Sequence, residues 1–190
     1  LEQVRVKPFI EMIYLQELLA QANAGIRAVR SLQASASSDA DAVHDHAADF
    51  LNHAAVISKI LKPSNADGKG VERVRGRYLR GKLGLADDHP VLDRKLRDLL
   101  EHIDEKLDRW AAEAEGQGYL FVDKNIGGTM INAPGRDPHK YTLRDFDPVT
   151  AIYTVQGESF DLKEKVQAVV EVRDLALKRL AAVNVLRAKE

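Results

Sequence analysis

The sequence predicts a mainly α-helical protein: an up-down bundle of about five helices with a small antiparallel β insert before the last one. Three observations predict it. Apolar residues recur at helical spacing in four segments before Gly116. From about 118 to 160 the pattern changes to short aromatic and β-branched stretches, punctuated by Gly-Gly, Pro-Gly and Asp-Pro. A last long segment then returns to the helical period. The 190 residues are read as one domain, 1–190, around one core.

The first helix is predicted from about 8 to 32, with Ile10, Ile13, Leu15, Leu18, Leu19, Ala22, Ile26 and Val29 as its stripe. "SLQASASSDA" breaks it, and Ser38 or Asp39 caps the second helix. Helix two carries Val43, Ala47, Phe50, Ala54, Ile57 and Leu61 in steps of four and three, and ends at Pro63. After the loop "KPSNADGKG", a shorter helix spans about 71 to 83 and stops near Gly84. Asp88 or His89 then caps a fourth helix with Pro90 in its first turn, where a missing N–H costs nothing. That helix is expected to run unbroken to about Ala114, burying Leu92, Leu96, Leu99, Leu100, Ile103, Leu107 and Trp110. "GYLFVD", "YTLRDFD" and "TAIYTV" read as two or three antiparallel strands, with "QGESF" as a further brief one. Asp161 and Glu164 form a capping-box pattern ahead of the last helix, which runs to about Arg187.

Composition narrows the function classes. With 45% hydrophobic and 30% charged residues the chain is expected to fold and stay soluble. A net charge of −1 gives no global attraction to nucleic acid or membrane, so such binding needs a local patch. The absence of cysteine excludes disulfides and thiolate metal sites and points to a reducing, cytoplasmic home. No apolar run reaches the ~20 residues that span a bilayer, and the charged start lacks the core of a signal peptide. No membrane partner is expected.

The most pointed chemistry lies in "LRDLLEHIDEKLDRW", where Arg97, Asp98 and His102 stand at R-D-x-x-x-H spacing. Four residues apart, Asp98 and His102 share a helix side, so the carboxylate can fix the imidazole tautomer and favour its protonated form. Arg97 lies about 140° from His102 around an ideal helix. Within one straight helix the two do not converge, whereas across a symmetric dimer Arg97 of one copy can approach His102 of the other. Phosphodiester chemistry suits the pair: histidine moves protons near neutrality, and arginine holds a phosphate through two N–H groups. The structural alternative is an ordinary surface arginine, with Asp93 four residues before it and Glu101 four after, in ion pairs worth roughly 0.3–0.5 kcal/mol.

The R-x-x-x-x-H spacing with a polar residue after the arginine, on a long helix of an all-α chain, resembles the HEPN (higher eukaryotes and prokaryotes nucleotide-binding) superfamily. The wider run "LRGKLGLADDHPVLDRKLRDLLEHIDEKLDRW" is similar to bacterial HEPN-like proteins. The resemblance covers roughly residues 8 to 115 in architecture, and its specific part is the six-residue motif. It implies a dimerising helical bundle acting on RNA, and for many members a metal-independent endoribonuclease of defence or toxin–antitoxin systems. By position it implies Arg97 on the phosphate, His102 as the proton-transfer residue and Asp98 as its tuner. Cleavage would use the ribose 2′-hydroxyl and need no cofactor or metal. The implied partners are a second copy, RNA, and a neutralising or regulatory protein. Two departures stand out: the β insert is not part of the basic bundle, and Asp98 is less typical than asparagine. Non-catalytic members also occur, so the alternative function is a helical bundle that binds a protein or nucleic acid without cutting it.

"KGVERVRGRYLRGK" supplies a candidate nucleic-acid surface. Arg73, Arg77 and Arg80 share a face by i, i+4, i+7 spacing, with Tyr78 nearby as a stacking group. A solvated helix face, or attraction to the acidic residues of helix four, explains the same charges. His46, Asp49 and His53 share a face of helix two and are reasonable metal ligands. Bundle metal sites draw ligands from facing helices too, and the Glu-x-x-His pairs of di-iron bundles are missing, so no metal is expected. "NADGKG" lacks the spacing and strand of a P-loop, and "NIGGTMINAPG" reads as a loop.

Overall fold

A computed structural model describes residues 7–35, 38–63, 71–116, 121–127, 135 and 140–187. Among these are six α-helices and four strands: α1 (Pro8–Ala34), α2 (Ala40–Leu61), α3 (Val71–Leu83), α4 (Lys95–Glu101), α5 (Ile103–Gly116), β1 (Val122–Ile126), β2 (Thr142–Asp147), β3 (Ile152–Val155), β4 (Glu158–Asp161) and α6 (Leu162–Arg187). The chain is mainly helical with a small sheet before its last helix, as the hydrophobic periods predict.

Local chemistry sets most of the boundaries. Pro8 opens α1 in the first turn, where no donor is needed. The Asp39 carboxylate accepts from Ala42 N–H at 3.0 Å and starts α2. The His89 Nδ1 accepts from Val91 N–H at 3.2 Å above a single 3-10 turn, Pro90–Leu92. The Asp161 carboxylate accepts from Glu164 N–H at 3.0 Å and opens α6. Only half of the expected capping box is present, because the Glu164 side chain lies 3.8 Å from Lys165 instead. Gly84, at φ +71°, ends the turn after α3 with Leu85 N–H donating to Arg80 C=O at 3.0 Å.

The core is built where α1 packs on α2 and α6. Leu15, Leu18 and Ala22 of α1 meet Ala47, Phe50 and Ile57 of α2, and Val169, Val172 and Ala176 of α6, all buried. From the sheet, Phe146, Tyr153 and Phe160 form one cross-strand row and join the same core. At its start α1 departs from expectation. Ile10 and Ile13 are exposed and Glu11 is buried, because that end of the helix faces a polar cluster. There the Tyr78 hydroxyl donates to Glu11 Oε2 at 2.7 Å and Arg179 Nε donates to Oε1 at 2.5 Å, tying α1 to α3 and α6.

Two further expectations are corrected. The insert is a four-stranded mixed sheet, not an antiparallel one: β1 runs parallel to β2, while β2–β3 and β3–β4 are antiparallel. Strand composition does not encode direction, and the connection from Gly127 to Tyr141 is long enough for the crossover that a parallel pair requires. Most of the loop "NIGGTMINAPG" lies outside the described residues. The second correction concerns helix four, which is three pieces rather than one. After the 3-10 turn, the Asp93 carboxylate accepts from Lys95 N–H at 2.9 Å and begins α4. His102, at φ −123° and ψ 35°, then breaks the ladder before α5. Leu96 and Leu99 belong to the main core, whereas Trp110 and Ala114 pack with Leu143 of β2 in a separate small cluster. The interruption at His102 lets the two pieces serve separate cores, and Ile103 and Leu107 beyond it are exposed.

Gly76 marks a close approach of α3 to the end of α2. A Cβ there would stand 2.7 Å from both Leu61 C=O and Pro63 Cδ. Gly76→Ala is therefore expected to destabilise the protein by about 1–3 kcal/mol, measured by urea unfolding. An alanine variant as stable as the parent would mean that the two helix ends separate without cost.

Candidate functional site

The structure separates Arg97 from His102. Arg97 is 0% exposed and lies inside the fold. Its Nη1 donates to the C=O of Lys62, the residue that caps the C-terminus of α2. Burial pushes its pKa below the ordinary guanidinium range, and the neighbouring Arg94 adds to that. Its Nε and Nη2 are buried with no hydrogen-bond acceptor among the described residues. His102 is the opposite case, with a side chain 56% exposed and Nδ1 3.7 Å from Glu105. Asp98 is half-buried one helical turn away. The ion-pair alternative is not realised either: Glu101 pairs with Lys59 at 3.1 Å, and Asp93 with Lys165 at 2.9 Å.

What Arg97 does is visible at the end of α2. The last carbonyls of a helix have no partner within it, and they carry the negative end of its dipole. Arg80 Nη1 donates to Leu61 C=O at 2.6 Å, and Arg97 donates to the next carbonyl along. Two arginines from separate helices thus satisfy two successive orphan acceptors, with Gly76 allowing α3 to come close enough. The sequence patterns assign both arginines to phosphate, and the fold gives both to the backbone.

The basic face of α3 is only partly available. Arg80 is also 3.4 Å from Asp87. Arg75 lies over the Tyr14 ring at 4.9 Å, and the Tyr78 hydroxyl is committed to Glu11. Arg77 is exposed, with no ion pair among the described residues. The Arg73 side chain lies outside the described residues. Of the two described arginines of the expected phosphate-tracking face, Arg80 is engaged with Leu61 C=O and Asp87, and Arg77 is placed in solvent.

On α2, His53 Nδ1 is 2.7 Å from Gln21 Oε1 and its Nε2 is 3.6 Å from Asp49. No group of three possible metal ligands converges among the described residues. His44, which belongs to none of the sequence patterns, is buried between α2 and the sheet. Its Nε2 donates to Asn125 C=O at 3.0 Å, its ring lies 5.5 Å from that of Tyr153, and burial holds its pKa low. It serves as a latch between helix and sheet, and no spacing in the sequence marks it. No family model, curated protein or solved structure matches the chain.

Proposed function

We propose that the protein is a non-catalytic HEPN-like helical module that binds RNA without cutting it. One observation carries the reading: Arg97 is enclosed and capping α2, while His102 stands in solvent at the helix break itself. A second copy does not repair this separation by approach alone, because a fully enclosed guanidinium is as closed to a neighbour as to a phosphate. In this reading the helices make a single-domain up-down bundle, working as a cytoplasmic homodimer. The exposed Phe9, Ile10 and Ile13 of α1 and the exposed Leu177 of α6 supply apolar surface for pairing. Exposed Arg77 supplies charge for RNA, whose binding then weakens steeply with salt.

The test uses purified protein, labelled single-stranded RNAs and EDTA. Binding by fluorescence anisotropy is expected to fall with salt and in Arg77→Ala, with the RNA intact on a denaturing gel. Cleavage that disappears in His102→Ala would overturn the reading in favour of the metal-independent endoribonuclease. Absence of RNA binding at low salt would overturn it in favour of a protein partner.

A further inference from the structure

A cleft of about 260 Å³ opens where α5 meets the tip of the β3–β4 hairpin, across the His102 break from the helix that carries Arg97. Lys106, Arg109 and Lys140 line it, together with Glu113 and Glu158. The carboxylates are already attended. Glu158 is 3.0 Å from Lys95, which lies outside the cleft, and 3.6 Å from Lys106; Glu113 is 3.9 Å from Lys140. Arg109 is exposed and has no ion pair among the described residues. With Lys95 counted, the cations outnumber the carboxylates, and the uncommitted one is a guanidinium. A guanidinium holds phosphate through paired N–H donors better than an ammonium does.

The remaining walls are not those of a bare anion site. Trp110 forms one side, with Phe121 edge-on to it at 5.9 Å between ring centroids, and Phe121 itself is 58% exposed. An exposed aromatic beside a cationic cleft suits the face of a flat ring. Gln156, at the tip of the hairpin, also lines the cleft. Its φ of 51° is left-handed, a conformation that two-residue hairpin tips ordinarily give to Asn, Asp or Gly. Its Oε1 is buried without a donor among the described residues, so the carboxamide gains a partner by turning toward a ligand N–H. Cation, aromatic wall and carboxamide are the three contacts that a nucleotide offers at once.

We propose that this cleft binds a nucleoside monophosphate unit, with its phosphate on Arg109 between Lys106 and Lys140, and its base against Phe121 and Trp110 within reach of Gln156. The unit is either a free nucleotide or a residue of an RNA chain. The inference stands apart from the proposed function, since a cleft for free nucleotide does not require RNA binding.

Trp110 is the only tryptophan in the chain, so its fluorescence reports on this cleft alone. Titration with AMP is expected to change that fluorescence saturably. Arg109→Ala should weaken the apparent affinity about tenfold or more, the loss of one paired charge-assisted contact. Arg109 is exposed, so the variant should unfold at the same urea concentration as the parent. Ribose 5-phosphate, which lacks the base, should bind at least about tenfold more weakly than AMP, as the loss of one stacked ring requires. No saturable change with AMP, a change untouched by Arg109→Ala, or equal binding of ribose 5-phosphate would each overturn the proposal. An oligoadenylate that competes with AMP identifies the unit as part of RNA, and one that does not identifies free nucleotide; both support the cleft. AMP binding without RNA binding supports the cleft while overturning the RNA reading. RNA binding that Arg109→Ala leaves intact, with no AMP response, does the reverse.

Discussion

Replacing Arg97 with alanine is expected to lower the unfolding free energy by about 2–4 kcal/mol, through a cavity and an uncapped helix end. Arg97 heads the fully buried side chains by volume, so truncation removes packing as well as a donor. The Lys62 carbonyl loses its partner at the end of α2. One effect opposes these. The guanidinium is buried with two nitrogens unpartnered among the described residues, and removing such a charge relieves desolvation. An apolar residue of similar length separates the contributions. Arg97→Met keeps the volume and discards the charge, and is expected to stay within about 1.5 kcal/mol of the parent. His102→Ala, at an exposed helix break, should change stability by no more than about 0.5 kcal/mol. Urea unfolding followed by circular dichroism measures all three. If Arg97→Ala unfolds with the parent, the arginine is not structural, and its availability to phosphate returns.

Glu11→Ala is expected to cost about 3–5 kcal/mol, because it leaves Arg179 and Tyr78 facing a vacated buried site. Glu11 is 2% exposed and accepts from Tyr78 and from two nitrogens of Arg179. Burial alone pushes its pKa up. Hydrogen bonds from Arg179 and Tyr78, with the charges of Arg179 and Lys82, more than offset this and leave the carboxyl below its ordinary 4.5. A carboxylate with a lowered folded pKa contributes fully above its unfolded value, and that contribution is lost as pH falls through the folded value. The parent should therefore lose stability on acidification below about pH 4.5 more steeply than Glu11→Gln, which has no such proton to take up. Equal acid slopes for the two proteins would show that the cluster is not linked to folding.

The helical portion was legible because its signals are local. Asp39, His89 and Asp161 act within one turn of their own position, and Phe50 and Ile57 occupy the stripe that their spacing gives them. The brief strand in "QGESF" was legible for the same reason. What stayed hidden depends on the neighbour. A helical wheel puts Arg97 on the flank of an apolar stripe, but it does not say that the end of another helix lies there with carbonyls in need of donors. Ile10 and Ile13 match the period of α1 and still face solvent, because Arg179 and Tyr78 sit opposite that turn and select Glu11. The break at His102 answers to a second small core around Trp110, formed with a strand more than thirty residues on. The cleft at Arg109 was invisible too, since it is assembled from α5, a hairpin tip and the approach to β2.

The pair of arginines on the carbonyls of α2 bears on how such a chain tolerates change over generations. Position 97 answers to folding, and position 80 with it, so both should resist substitution whether or not the protein ever meets a phosphate. On the proposed non-catalytic reading His102 answers to neither demand, and is free to drift. A lineage built this way would lose its histidine first and keep its arginine. The motif would then fade from one end, leaving behind a residue whose persistence records architecture.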